Sequence, residues 1–408
     1  MIHKEKIRGN IPKVYALNFF MMFLVTIPII VPYWKQFGLN LKDIYQLQAI
    51  FGFMMILLDV PAGYISDMFG RKKCLILVGV FNIFTYLILL NGKTFFHFAL
   101  FEINAAIALA LYSGCDIALL YDSFEAIESE DETAIERVSH SKKFLGKRIF
   151  FSQVGESIAS FLGGLLAIYS LRLPAVVNAV TAWVPLFIAL TIHEPPRKMF
   201  ATKKHLENFK IIYESLFKHS KLLTMMVIFN IVYGFSTFAA VWAYQSYWAE
   251  IKIPIAYFGT LWAIFNLSVA FLARSSHFLE KRAGAIPVIA VVAISPVVAY
   301  FGLGFTASYA SVLFLVFFAL ARALNGVILQ DEINSRVPPT MRATTNSICS
   351  LGMRAIFFFF GPWFGHELDV HGVHQSFVMM GVVFSVVFFI VAFPLMRLKS
   401  QQISVQAH

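Results

Sequence analysis

Charged side chains are scarce in this sequence. They make up 14% of its 408 residues, while 59% are hydrophobic; a soluble domain carries about 25% charge. So little charge cannot clothe a water-facing surface, which excludes a soluble globular protein and implies a polytopic membrane protein. Cysteine is scarce as well. Cys74, Cys115 and Cys349 fall in or beside apolar runs, and an odd number without metal-ligand spacing leaves them as small apolar packers. No G-x-x-x-x-G-K-[ST] loop occurs, which argues against ATP as the energy source. Neither H-E-x-x-H nor G-x-S-x-G is present, so nothing points to an enzyme, a metal or a cofactor. A cleavable leader is also not expected. Lys4, Lys6, Arg8 and Lys13 precede an apolar run that continues to about Val31 without a small-residue cleavage pattern, which reads as a first span.

What is present is a series of apolar runs. They predict twelve spans near 12–34, 43–66, 73–91, 95–122, 144–169, 174–192, 221–246, 255–279, 285–304, 309–333, 343–365 and 373–396. The net charge of +10 is read by side of the membrane. With a cytoplasmic N-terminus, the outer loops hold only Lys35, Lys42, Lys93, Arg172 and Lys252. The inner loops hold Arg71 to Lys73, Lys142 to Arg148, Arg197 to Lys221, Lys281-Arg282, Arg397 and Lys399. Both termini are therefore expected in the cytoplasm, and the basic balance reports loops rather than nucleic acid.

Between the second and third spans lies Gly63-Tyr64-Ile65-Ser66-Asp67-Met68-Phe69-Gly70-Arg71-Lys72-Lys73. Gly63 suits close helix approach, Asp67 a helix end, Gly70 a turn closed to residues with a Cβ, and the three cations a cytoplasmic loop. The pattern G-x-x-x-D-x-x-G-[RK]-[RK] resembles the signature of the major facilitator superfamily, with Met68 where that family usually has Arg or Lys. The resemblance covers nearly the whole chain. It implies an all-α fold of twelve helices in two pseudo-symmetric six-helix bundles, and alternating access around a central site. Gly63, Asp67, Gly70 and Arg71, with Asp59 in Asp59-Val60-Pro61-Ala62-Gly63, become the expected inner gate.

An internal repeat supports two halves. Tyr33-Trp34 and Tyr247-Trp248 are 214 residues apart, as are Ala49-Ile50-Phe51 and Ala263-Ile264-Phe265; the same offset places Gly70 on Gly284. Gly114 and Asp122 match Gly326 and Asn334 at 212. The expected organisation is a bundle over 1–193, a linker over 194–220 and a second bundle over 221–408. The linker opens with Glu194-Pro195-Pro196, which stops the sixth helix, and continues as an amphipathic pattern from Leu206 to Phe217. The segment Glu125 to Glu136 is acidic and reads as a solvated loop.

Ionisable residues inside spans are costly, by ~2.5–3.5 kcal/mol or more. They comprise Asp59, Glu102, Asp116, Asp122, Glu156, Arg322, Asp331, Glu332 and Arg354. Interface solvation or ion pairs account for Asp122, Asp331 and Glu332. Asp116 and Glu156 are the candidates for proton coupling, because a buried carboxyl can exist in both protonation states. The fourth span carries Leu109 and Ala110 where the superfamily places a buried Arg, so the usual Arg relay is missing. Arg354, Arg322, Asn18, Asn230 and Tyr112 are candidates for substrate contact, Arg354 alternatively pairing with Glu156 or Asp116. Two arginines favour an anionic or zwitterionic substrate. Gly155, Ala159, Ser160, Gly163 and Gly164 follow the spacing of the antiporter signature G-x-x-x-G-P-x-x-G-G, with Ala-Ser replacing Gly-Pro; tight packing explains the same residues. Glu156 and Arg354 each precede a glycine pair or Gly-Pro by seven residues, which makes them pseudo-symmetric.

The expected protein is a monomeric, proton-coupled carrier of a small-molecule substrate in the bacterial inner membrane, an exporter acting as an antiporter. The alternative is a symporter or exporter of an anionic metabolite such as a carboxylate siderophore. A transport-inactive membrane sensor is the third reading. Protons and the lipid bilayer are the other expected partners.

Overall fold

The computed structural model describes residues 2–127, 134–196, 220–338 and 341–406, and all regular structure in them is helical. The linker pattern from Leu206 to Phe217 and part of the acidic segment, 128–133, lie outside the described residues, as does the side chain of Asp67.

A short helix, Ile2–Arg8, precedes the spans. The first span, α1, runs as Asn10–Met21, breaks, and resumes through a turn at Ile27–Ile29 into Ile30–Lys35. Then follow α2 (Leu41–Phe69), α3 (Arg71–Asn91), α4 (Phe95–Ile127), α5 (Ala134–Ala167) and α6 (Arg172–Thr181 continuing as Trp183–Thr191). The second series comprises α7 (Lys221–Glu250), α8 (Phe258–Ala283) and α9 (Ala285–Phe305). In α10, Leu315–Leu324 passes through a π-turn at Asn325–Leu329 into Gln330–Ser335. A last continuous run begins at Arg342 and turns at Gly372 (φ 77°, ψ 168°), which separates α11 (342–371) from α12 (373–406). Among the described residues, ten stretches are long and apolar enough to cross a membrane. One of them contains both α11 and α12, and the broken α1 adds a further span, giving twelve.

The break in α1 falls where the sequence predicts one continuous helix over 12–34. Pro28 removes a backbone donor, and the exposed backbone groups must be satisfied away from water. Asn178 of α6 does this. Its Oδ1 accepts from the Thr26 amide at 2.9 Å and the Thr26 hydroxyl at 3.1 Å, and its Nδ2 donates to the Phe23 carbonyl at 2.7 Å.

The chain forms two compact units. Unit 1 comprises Met1–Leu39, Ile50–Ala201 and Pro254–Ala263; unit 2 comprises Asn40–Ala49, Thr202–Ile253 and Ile264–His408. The exchanged segments, Asn40–Ala49 and Pro254–Ala263, are 214 residues apart, the spacing of the internal repeat. Helices α3 and α9 are likewise 21 residues each and 214 apart. Each is opened by a glycine of the same unusual conformation, Gly70 (φ 97°, ψ 156°) and Gly284 (φ 81°, ψ 169°). Only glycine adopts it readily. Tyr33 and Tyr247 are fully buried, and each donates to a carbonyl at the far end of its own repeat's third helix, Leu89 and Thr306, both at 2.8 Å.

Backbone approach through small residues explains how the exchanged segments seat. In unit 1, a Cβ on Gly259 would overlap the Ser160 carbonyl, and one on Gly164 would lie 2.6 Å from the Ala256 carbonyl. On the opposite side of α5, Gly155 lies against the Phe19 carbonyl and Gly163 against that of Val25. The small-residue run of α5 therefore serves close packing on two neighbours. In unit 2, Gly365 lies against Leu41, while Asp369 accepts from the amides of Leu41 and Lys42 at 2.9 and 2.8 Å. Tyr45 packs against Phe357 and Phe364 and donates to the Ala239 carbonyl at 2.6 Å.

The cysteine expectation needs correction. Cys74 of α3 and Cys115 of α4 are buried, but they are joined as a disulfide, leaving Cys349 as the free thiol. A separation of 41 residues gives no sequence signal for that pairing; the contact of α3 with α4 creates it.

Candidate functional site

The strongest candidate site lies in unit 1, where α1, α4 and α5 converge. Asp116 is completely buried on α4. Leu111, Cys115 and Leu119 of the same helix belong to a buried apolar cluster with Val14 and Leu17 of α1, so a bare buried carboxylate there would be costly. Arg148 of α5 supplies the partner. Its Nε donates to Asp116 Oδ2 at 2.6 Å, and its Nη2 reaches the same oxygen. The sequence reading placed Arg148 in the basic cluster after the acidic segment and left Asp116 without it. A cation of the basic cluster is thus the charge partner of a fully buried acid. Lys147, its neighbour, is exposed; the helical twist turns the two in different directions.

Polar groups surround this pair. Asn18 of α1 donates to the Val14 carbonyl at 2.9 Å and lies within electrostatic reach of Asp116. Tyr112, one turn before Asp116, is buried, and its hydroxyl has no hydrogen-bond partner. Tyr15, one turn before Asn18, also leaves its hydroxyl unpaired and stacks on Phe151, one turn after Arg148, with ring centroids 5.4 Å apart. Asp116 Oδ1 is a third buried, unpartnered oxygen. With two tyrosine hydroxyls and the Asn18 amide beside it, the ion pair can exchange its internal contact for one with a ligand or a proton. Tyr15 and Arg148 were not singled out from sequence; a tyrosine and an arginine at helical spacing from Asn18 and Phe151 carry no signal until the helices meet.

The other proton-coupling candidate, Glu156, lies two turns beyond Arg148 and accepts from the Trp262 indole at 3.3 Å. The structure does not place it in the Asp116 pair.

In unit 2 the candidates are dispersed. Asn230 of α7 exchanges hydrogen bonds with Asn325 in the π-turn of α10, donating to its carbonyl at 3.3 Å and receiving its amide at 3.0 Å. That is inter-helix joining. Arg322 is exposed on α10, within electrostatic reach of Tyr244, whose buried hydroxyl lacks a partner. Arg354 is half-buried on α11 and donates to Ser350 at 3.4 Å.

Of the expected gate residues, Arg71 lies in a second polar cluster in unit 1. Arg71 Nε donates to Asp122 at 3.0 Å and Nη1 to Ser66 at 2.5 Å. The N-terminus of α3 is capped by Glu194, which accepts from the amides of Arg71 and Lys72, each at 2.8 Å. Glu194 was read only as part of a helix stop. A carboxylate in this position complements the positive end of the helix. The backbone of Gly63 lies under Gly114, 3.4 Å from where a Cβ on the latter would stand. Asp59 is exposed. Among the described residues, unit 2 shows no copy of this latch. Ala285, Glu280 and Asn334 occupy the places of Arg71, Ser66 and Asp122, and a cavity of about 310 Å³ lined by Glu280, Asp331 and Asn334 stands there. Glu332, also on α10, pairs with Arg336 at 2.5 Å and Lys399 at 2.6 Å.

The model of the Major Facilitator Superfamily matches residues 14–362. The chain belongs to that superfamily. As a facilitator it is a secondary transporter and not an enzyme, as the sequence led us to expect. Among solved structures it is similar to the nucleoside transporter NupG, with a TM-score of 0.78 at 14% identity, covering 95% of this chain and 98% of that one. It is also similar to a bacterial homologue of the human lysosomal transporter Spinster in an inward-facing, unoccupied conformation (TM-score 0.73, 17% identity, 97% of each chain). A D-xylose–proton symporter matches with a TM-score of 0.64 at 15% identity over 94% of this chain and 96% of that one. At these identities the facilitator shares the fold of these proteins, and the likeness says nothing of its cargo. No curated protein sequence matches it.

Proposed function

We propose that this facilitator is a proton-coupled transporter of a small organic anion in the bacterial inner membrane, monomeric and with both termini cytoplasmic, and that Asp116 carries the proton. One observation supports this above others: a fully buried aspartate whose charge is balanced by Arg148 on the neighbouring helix. While Asp116 is ionised, the pair is self-sufficient. Protonation removes the negative charge and leaves the guanidinium, which cannot itself deprotonate, without a partner in a low-dielectric setting. An anionic group on the substrate restores the balance. Proton and anion therefore favour the same state of the site, which is the logic of cotransport. This supports the symport reading over the exporter that the sequence first suggested. Tyr15, Tyr112 and Asn18 supply hydrogen-bonding groups beside the pair, and Arg322 and Arg354 are further cations for an anionic or zwitterionic cargo. Arg71, Asp122, Ser66 and Glu194, with Gly63, Asp67, Gly70 and Asp59, act as the inner gate.

The test uses proteoliposomes with an imposed pH gradient and a panel of carboxylate, phosphate-bearing, zwitterionic and cationic solutes. The wild type accumulates an anionic solute with its protons. Asp116→Asn abolishes gradient-driven accumulation while retaining exchange, and Glu156→Gln retains both. Wild-type pH dependence in Asp116→Asn would refute the assignment and move the proton to Glu156, Asp59 or Glu102.

A further inference from the structure

Unit 2 contains a cavity of about 490 Å³ between the start of α7 and the end of α12. It lies on different residues from the Asp116 site and the gate. Lys221 and Thr224 line it from α7, and Arg397 and Gln401 from α12, over an apolar floor that includes Met225 and Leu398. Among the described residues, no carboxylate lines it. Lys221 and Arg397 are both exposed, and among the described residues neither forms an ion pair. The contrast with Lys399 is informative. Two residues beyond Arg397, it turns the other way and is neutralised by Glu332 at 2.6 Å. Among the described residues the two cations at the cavity have no acidic partner, and the Thr224 and Gln401 side chains line the cavity beside them.

The chemistry of α12 says what kind of anion fits. Val386, Phe389, Ile390 and Phe393 are exposed and recur at helical spacing through the π-turn, and the next position on that face is Arg397. Its guanidinium lies 4.6 Å over the Phe393 ring. An apolar strip thus leads along a membrane-spanning helix to a cationic, hydrogen-bonding cavity at its end. A soluble phosphate would use the cavity and leave the strip unused. An acidic phospholipid would use both, with its acyl chain along the strip and its headgroup phosphate between the cations.

We propose that this cavity is a binding site for the headgroup of an acidic phospholipid, held by Lys221 and Arg397. The test measures lipid retention by native mass spectrometry on full-length protein in phosphatidylcholine nanodiscs doped with phosphatidylglycerol or cardiolipin. The wild type retains acidic lipid in preference to phosphatidylcholine. Neutralising each cation (K221Q, R397Q) weakens retention about fivefold, and both together roughly thirtyfold. K281Q, in a different basic pair, serves as the comparison and retains the wild-type preference. Circular dichroism and thermal stability report whether each variant is folded, and R397K, which keeps the charge, rescues retention. Three results would overturn the proposal: equal retention by folded K221Q/R397Q and wild type, the same loss in K281Q, or complete displacement of the lipid by millimolar glycerol phosphate, which would assign the cavity to a soluble anion.

Discussion

Replacing Asp116 by Asn tests the central ion pair energetically as well as functionally. The carboxylate is wholly buried, and the Arg148 side chain is 19% exposed. Removing one partner of a buried pair costs about 3–5 kcal/mol, mostly because the remaining charge is left uncompensated. The exposure of Arg148 lets its guanidinium recover some solvation, and the Asn amide oxygen keeps one hydrogen bond, so the lower end, ~3 kcal/mol, is expected. For a bundle of this size each kcal/mol corresponds to about 2–4 °C in melting temperature, hence a fall of roughly 6–12 °C. Arg148→Gln should cost less by itself if Asp116 takes up a proton once the cation is gone. The decisive comparison is the double variant Asp116→Asn/Arg148→Gln, which restores neutrality with side chains of similar shape. It should be more stable than Asp116→Asn alone, giving a coupling energy of at least ~1 kcal/mol in the double-mutant cycle. The assay is thermal unfolding followed by tryptophan fluorescence in detergent at several scan rates, with intact transport in wild-type proteoliposomes as the control. Additive effects of the two substitutions would show that the side chains act independently and would refute the coupled-pair reasoning.

Gly259→Ala should lower the yield and melting temperature of folded protein by the ~1–3 kcal/mol of overpacking, because its Cβ would overlap the Ser160 carbonyl, whereas Gly326→Ala, which meets nothing within 4 Å, should be tolerated in the same thermal assay. Gly70→Ala should destabilise the protein by ~1–3 kcal/mol through its φ of 97°, and Glu194→Gln by about 1 kcal/mol through the weakened cap on α3; equal melting temperatures for Gly70→Ala and wild type would show that this turn relaxes without strain.

Much of the fold is legible in the sequence because its causes are local or periodic. A membrane helix needs about twenty apolar residues whatever it packs against, so composition and run length give the spans. Gly70 and Gly284 announce their turns because few other residues accept that backbone. The repeat spacing of 214 is written in residue identities, and it recurs in the two glycine turns, in α3 and α9, and in the exchanged segments. Asp116 stands out because an acid in an apolar run always demands an explanation.

The tertiary structure decided the partners. Arg148 neutralises Asp116, Glu194 caps α3, Asn178 satisfies the break in α1, and Cys115 bonds Cys74. Each pairing joins residues 32 to 155 positions apart in separate parts of the chain. None has a spacing that sequence can read, because the distance between two side chains on separate helices depends on how those helices cross and rotate. Periodicity fixes which face of a helix a residue occupies. Which residue lies opposite it is set only when the small residues of α5, in contact with α1 and with the start of α8, bring the backbones together.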